Sequence, residues 1–298
     1  MSDVLVTGAS GFYGTALVPR LVRAQHRVTA LARRPIQCSE IVELVSVDLR
    51  DREATWRTLR PWRWDVVVHL AGPAPKTDQT WSDAVETIRS HVQSLLHVTS
   101  AIPAGWEGRF IHASGAIVYG KPTSDRVSED HPRNPLHAYA LAKCLTEDLL
   151  LGSVLEDRWL LRMGGLFSED RRSGGLFNFA RAAYAGETIH ITTSAPLVPW
   201  ELLHLDDAVE AVLRAMTASA RDPGPINVGY GERIHVVEIA ERLAQKGGVR
   251  VTHDGPSPPA FHADITKARA LFEWPPATLD ERLNLLWSAM RRAEPRTL

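Results

Sequence analysis

The chain has 298 residues, 44% of them hydrophobic, enough to build a sizeable core in one large domain or two modest ones. Its 34 basic and 35 acidic residues leave a formal net charge of -1, which argues against a general nucleic-acid binder but leaves room for a local basic anion site. The two cysteines, Cys38 and Cys144, have neither zinc-ligand spacing nor a disulfide framework around them, so a reducing cytoplasm is expected. No apolar run is long enough to cross a bilayer, and the first residues enter a short strand at once, so neither a membrane span nor a signal peptide is expected.

Val4-Leu-Val-Thr7 reads as a buried parallel strand. It runs into Gly8-Ala-Ser10-Gly11-Phe12-Tyr13-Gly14, and then into an amphipathic helix carrying Leu17, Val18, Leu21 and Val22 on one side. Strand, glycine-rich turn and helix start together make a dinucleotide site: the glycines allow a tight turn and a close backbone approach to a pyrophosphate, and the helix offers free N–H groups. The spacing is G-x-x-G-x-x-G, not the commoner G-x-G-x-x-G. A second strand, Arg27 to Ala32, ends in Arg33-Arg34, where NAD sites usually place an acid for the ribose hydroxyls. Two guanidiniums there suit a 2′-phosphate, so NADP is expected, with NAD the alternative.

Leu44-Val-Ser-Val47 reads as the third strand, and Asp48 after it would either accept from an adenine amino group or cap the helix from Arg52. A fourth strand spans residues 65–71 and ends in small residues, which leaves room for a ligand at the carboxyl edge of the sheet. A helix over residues 81–101, a fifth strand over 109–114, a polar loop over 121–135 and a sixth strand over 159–163 follow. Between the last two lies Leu136-His-Ala-Tyr139-Ala-Leu-Ala-Lys143, which puts a phenol and an ammonium on one helix face. A tyrosine near pKa 10 exchanges protons poorly at neutrality, and an adjacent positive charge is expected to lower that value. The βα alternation predicts a doubly wound α/β domain over residues 1–165. Residues 166–298, less regular, are expected to form a smaller α/β substrate-binding region, with segments near 202–229 returning to the sheet.

Together these stretches resemble the extended short-chain dehydrogenase/reductase family of NAD(P)-dependent epimerases, dehydratases and reductases. The resemblance runs along nearly the whole chain. It rests on Thr7-Gly8-x-x-Gly11-x-x-Gly14, Asp48-Leu49, Leu70-Ala71-Gly72, Val118-Tyr119-Gly120, Tyr139-x-x-x-Lys143, Leu203-His204-Leu-Asp206-Asp207-Ala208, Asn227-Val-Gly229 and Asp264-x-x-Lys267-Ala268. It implies that Tyr139 exchanges a proton with the substrate oxygen while Lys143 holds the nicotinamide ribose. It also implies a homodimer paired through the helices near 81–101 and 136–151.

The departures from the family pattern carry their own expectations. The usual Ser or Thr four residues before Tyr119 is Gly115; Ser114 takes its catalytic role only if the strand end is distorted, since neighbouring side chains on a regular strand face opposite ways. Gly115-Ala116-Ile117 has no titratable group, so dehydration and 3,5-epimerisation are not expected. The arginine that nucleotide-sugar relatives place four residues before His204 is Trp200, which could stack on a base or ring, and the loop over 255–259 lacks the usual arginine too. Arg171, Arg172 and Arg181 are either diphosphate donors or surface charge. Gly115, Tyr119, Arg181 and Trp200 are the expected substrate contacts, and no metal site is expected. The expected activity is an NADP-dependent ketoreductase of deoxysugar biosynthesis acting on a nucleotide-linked 4-keto-6-deoxyhexose. A nucleotide-sugar 4-epimerase, a reductase of a non-sugar ketone or aldehyde, and a non-enzymatic NADP-binding sensor are the alternatives.

Overall fold

The computed structural model describes residues 1–34, 42–74, 80–192, 201–233, 235–255 and 261–293. In chain order the first half contains β1 (Asp3–Thr7), α1 (Phe12–Arg23), β2 (Arg27–Leu31), β3 (Val42–Val45), α2 (Arg52–Leu59), β4 (Val66–His69), α3 (Trp81–Ala101) and β5 (Arg109–Gly115). A 3-10 turn (Ala116–Tyr119), β6 (Arg126–Val127), α4 (Ala138–Leu151) and β7 (Arg158–Met163) follow. The remainder contains β8 (Gly165–Phe167), α5 (Gly175–Ala185), β9 (Ile189–Ile191), β10 (Leu202–His204), α6 (Leu205–Thr217), β11 (Gly224–Val228), α7 (Val236–Gly247), β12 (Val251–His253), β13 (His262–Ala263), α8 (Thr266–Phe272) and α9 (Leu279–Ala293).

Seven strands form one parallel sheet in the order β11-β7-β5-β4-β1-β2-β3. The strand sequences explain its two covered faces. Val4 and Val6, Val66 and Val68, and Leu161 point into one core, whereas Leu5, Val67, Phe110 and Leu160 point into another. A residue period of two with apolar side chains at every position buries both faces, as a doubly wound sheet requires. The first core is closed by α1 and α6 and continues into α5, α7 and α9; the second is closed by α2, α3 and α4.

The Rossmann-type architecture is the one expected, with local shifts. The third strand is Val42–Val45 instead of 44–47, and the cap of α2 is Asp51, whose side chain accepts from the Ala54 N–H, so Asp48 does not cap it. β11 takes the outer place beside β7, while β10 leaves the main sheet and pairs with β8. The motifs of the second half act as cross-links. Buried Asp207 holds Tyr230 at 2.7 Å and Arg282; Asn227 accepts from Tyr119 at 2.6 Å and donates to the carbonyls of Val127 and Asp264. His204, itself buried, accepts from the Asp206 N–H and begins α6. No helix among the described residues is long and apolar enough to cross a membrane.

Candidate active site

A cavity of about 1330 Å³ lies along the carboxyl edge of the sheet, the place where open parallel sheets bind ligands. One end is backbone. Gly8 is left-handed, with φ +68°, and a Cβ there would lie 2.9 Å from the Leu70 carbonyl carbon and the Ala71 nitrogen at the end of β4. A Cβ on Gly14 would lie 2.5 Å from the Gly8 carbonyl oxygen. α1 is capped by Gly11 without a side-chain bond and has no acid in its first turn, so its N–H groups remain free for an anion. Ser10, Phe12, Leu49 and Gly72 line the same end. Tyr13 also borders the cavity, but its hydroxyl turns inward and donates to the Ala208 carbonyl in α6.

Arg33 and Arg34 are exposed on the cavity rim, just past β2. Asp48 faces them already engaged. Arg50 grips it at 2.6 to 3.1 Å and also holds Glu86 at 3.0 Å. Arg50 first, with a smaller contribution from Arg33, holds the Asp48 carboxyl down at about 2. The described residues thus offer a backbone cradle and a cationic rim, which fit a dinucleotide.

Tyr139 and Lys143 stand on α4, whose first turn is fixed by His137 accepting from the Ala140 N–H. The Tyr139 ring is half-buried, edge-on to His91 at 5.4 Å and stacked with His137 at 6.3 Å. The buried Lys143 Nζ lies 5.6 Å from the centre of that ring and donates to the Ala113 carbonyl at 2.7 Å. The expected lowering of the tyrosine by the lysine does not occur. Burial pushes the Tyr139 phenol up to about 12, opposed by the Arg171 charge, and pushes Lys143 down to about 8, opposed by Glu147. Desolvation disfavours whichever form is charged, and it is the largest cause for both groups.

Ser114 lines the cavity, but its hydroxyl proton is already committed to a buried carboxylate. β5 stays regular through Gly115, with Ser114 paired to Arg162 and Gly115 to Met163, so the strand end is not distorted. The Ser114 hydroxyl donates to Glu147 Oε1 at 2.5 Å, and Glu147 also accepts from Arg162 at 2.7 and 3.0 Å and from Arg133 at 3.3 Å. Gly115 lines the cavity in an extended conformation open to any residue, and a Cβ there meets only ordinary contacts at 3.4 and 3.5 Å.

Two expected substrate contacts lie elsewhere. Tyr119 is fully buried outside the cavity, between Asn227 and Arg162, and burial raises its phenol to about 12. Arg181 is exposed on α5 and faces Glu187 at 4.0 Å. Trp200 and residues 256–259 lie outside the described residues, as does Cys38. Burial pushes the Cys144 thiol up to about 11, which makes it a poor nucleophile. Among the described residues no group of side chains is arranged to hold a metal.

The sequence model of the NAD dependent epimerase/dehydratase family matches residues 4–229. The chain belongs to this family. The extended short-chain dehydrogenase/reductase resemblance is thereby shown, and with it an NAD(P)-dependent enzyme. A putative UDP-arabinose 4-epimerase from Arabidopsis thaliana is 25% identical, over 96% of this chain and 76% of its own. A dTDP-6-deoxy-L-talose 4-dehydrogenase (NAD(P)(+)) from Kitasatospora kifunensis is 26% identical over 97% and 96%. Among solved structures, MoeE5 in complex with UDP-glucuronic acid and NAD superposes with a TM-score of 0.81 at 27% identity, covering 98% of this chain and 100% of that one.

Three features of this family member escaped the sequence reading. His91 lines the cavity beside Gly72, where a Cβ would lie only 2.1 Å from the imidazole Cε1. Burial first, and then the Lys143 charge, hold the His69 and His91 rings near 3 and keep His112 well below its ordinary value, so a neutral imidazole cluster surrounds the lysine. Glu201 also lines the cavity, and its carboxyl is pushed up to about 8, chiefly by burial. Nothing in local spacing marks these residues; only the tertiary path brings them to the cavity.

Proposed function

We propose that the protein is an NADP-dependent ketoreductase that reduces a keto group of a nucleotide-linked deoxysugar, a 4-keto-6-deoxyhexose in the first instance. The observation that carries this reading is the rim beyond β2, where Arg33 and Arg34 stand exposed and Asp48, on the same cavity, is gripped by Arg50. A 2′-phosphate suits that rim better than a bare ribose does. NADP specificity in turn favours net reduction over an epimerase cycle that leaves its cofactor unchanged.

The bound nicotinamide would supply hydride. Tyr139 would donate the proton to the substrate oxygen. Lys143 would anchor the nicotinamide ribose. The cavity wall formed by Met163, Leu166, Phe167 and Phe261 would exclude water from the sugar.

A second reading, a nucleotide-sugar 4-epimerase, is favoured by the UDP-arabinose 4-epimerase among the relatives named above. Purified protein assayed for NADPH and NADH consumption against nucleotide-linked 4-keto-6-deoxysugars separates the two. Net NADPH turnover, lost in Tyr139→Phe, supports the reductase. Interconversion of 4-epimers with no net cofactor consumption overturns it.

We further propose that a second copy of the chain covers α3 and α4. Leu141, Leu145 and Leu149 recur every four residues on α4 at 36 to 40% exposure, and Trp81 and Val85 are exposed on α3.

A further inference from the structure

Of the three arginines read as diphosphate donors or surface charge, only Arg171 reaches the cavity. Arg172 lies over the Phe177 ring at 6.0 Å, and Arg181 faces Glu187. Arg171 leaves the loop after β8, donates from Nη1 to the Leu166 carbonyl at 2.5 Å and lies 5.1 Å from the centre of the Phe12 ring. Phe12 is the first residue of α1, directly after Gly11. A side chain from the substrate-side loop therefore crosses the cleft and rests on the start of the dinucleotide helix.

The donor set around that guanidinium is unsatisfied. Arginine carries five N–H donors, and no carboxylate among the described residues is within ion-pair distance of Arg171. Ser168, only 6% exposed and on the same cavity, has a hydroxyl without a partner. The start of α1 adds backbone N–H groups with no side-chain cap. A partly buried cation, an orphan hydroxyl and free amides border one cavity, and their common complement is a group with several anionic oxygens.

We propose that Arg171 is a diphosphate ligand that straps the substrate-side loop to the N-terminus of α1, its fork on phosphate oxygens and its face on Phe12. Two molecules bring that chemistry: the dinucleotide cofactor, and the nucleoside diphosphate of the substrate. The second source rests on the nucleotide-linked reading above; the first does not.

The test uses the full chain with Arg171→Met, which keeps an aliphatic stem on Phe12, and Arg171→Lys. Dissociation constants are measured by calorimetry for ADP-ribose, UDP and adenosine, and by fluorescence for NADPH, with thermal unfolding as the check on folding. Losing charge-assisted bonds predicts between about ten- and a hundredfold weaker diphosphate binding in Arg171→Met. Partial recovery is predicted in Arg171→Lys, which keeps the charge without the fork. Weaker ADP-ribose and NADPH with unchanged UDP assigns the strap to the cofactor, and weaker UDP alone assigns it to the substrate. Unchanged binding of both, in a variant that unfolds like the parent, overturns the proposal. So does an equal loss for adenosine, which has no phosphate. Absence of UDP binding to the parent chain counts against the nucleotide-linked reading, while the ADP-ribose arm still decides the strap.

Discussion

Replacing Glu147 by alanine should cost far more than a typical single change. Glu147 is fully buried on α4 and accepts from Ser114, Arg162 and Arg133. Removing one partner of a buried ion pair costs about 3–5 kcal/mol, because the other charge is left uncompensated. Arg162, 3% exposed, would keep the Tyr119 hydroxyl at 2.9 Å and the Glu129 carbonyl at 2.8 Å, which places its share near the lower end. The orphaned Ser114 hydroxyl adds about 1 kcal/mol. Arg133, 27% exposed, regains water and adds little. The sum is roughly 4 kcal/mol, or a fall in melting temperature of about 6 °C for a chain of this size. Urea unfolding followed by circular dichroism, with the slope compared between variants, measures it. A loss under about 1 kcal/mol in Glu147→Ala would refute the account. So would a Glu147→Met/Arg162→Met double variant as unstable as the two single losses added together, since removing both charges should recover much of the stability. The milder Glu147→Gln tests the link to the site. Glu147 opposes the burial of Lys143, so its neutralisation should move the lysine further below about 8. If the ammonium form is the active one, the alkaline limb of the pH–rate profile then shifts toward lower pH.

Three further outcomes follow from other parts of the molecule. Gly14→Ala places a methyl group 2.5 Å from the Gly8 carbonyl oxygen, so NADPH affinity measured by fluorescence should fall by at least roughly tenfold, the equivalent of about 1.4 kcal/mol. Glu201 has a folded-state carboxyl near 8 against an ordinary 4.5, so the native chain retains a proton that the unfolded chain releases. Stability therefore falls as pH rises between those values, and Glu201→Gln, which carries no ionisable proton, should show a flatter urea midpoint from pH 5 to pH 8; a parallel pH dependence in the variant would contradict the burial argument. Leu145→Glu on the exposed face of α4 should convert a dimer to a monomer in light scattering, whereas a parent chain that is already monomeric removes the proposed pairing.

The parts of this structure legible in the sequence are those that depend on near neighbours in the chain. The alternation through Val4, Leu5 and Val6 encodes a strand buried on both faces, and it does so whatever lies across the sheet. Gly8, Gly11 and Gly14 announce the backbone cradle because a missing Cβ constrains the turn directly. Tyr139 and Lys143 share a face by helical period alone. Tyr119 is different: whether it faced a substrate or a core depended on Asn227, 108 residues away, and on Arg162 on another strand. Arg171 and Arg181 looked alike because nothing local says which one the path between β8 and α5 carries over the cleft. The sign of the Tyr139 shift was also invisible, since a nearby lysine can be read from spacing but the dryness of the site cannot.

Gly115 is the position where these two kinds of information meet. Its sequence neighbours suggested a glycine present to bend the strand and re-aim Ser114. The backbone there is extended and paired in register, so no left-handed turn demands a glycine, and a side chain would fit. Ser114 cannot replace the missing hydroxyl without giving up a 2.5 Å bond to a buried carboxylate that also balances Arg162. A glycine that neither turn geometry nor packing requires leaves space in the cavity beside Met163 and Ile117, on the side where substrate is expected. Substrate orientation must then lean more heavily on the tyrosine and on the distant contacts of the substrate than it would with a serine at this position, and Gly115→Ser, which adds the hydroxyl without a clash, separates that dependence from the fold.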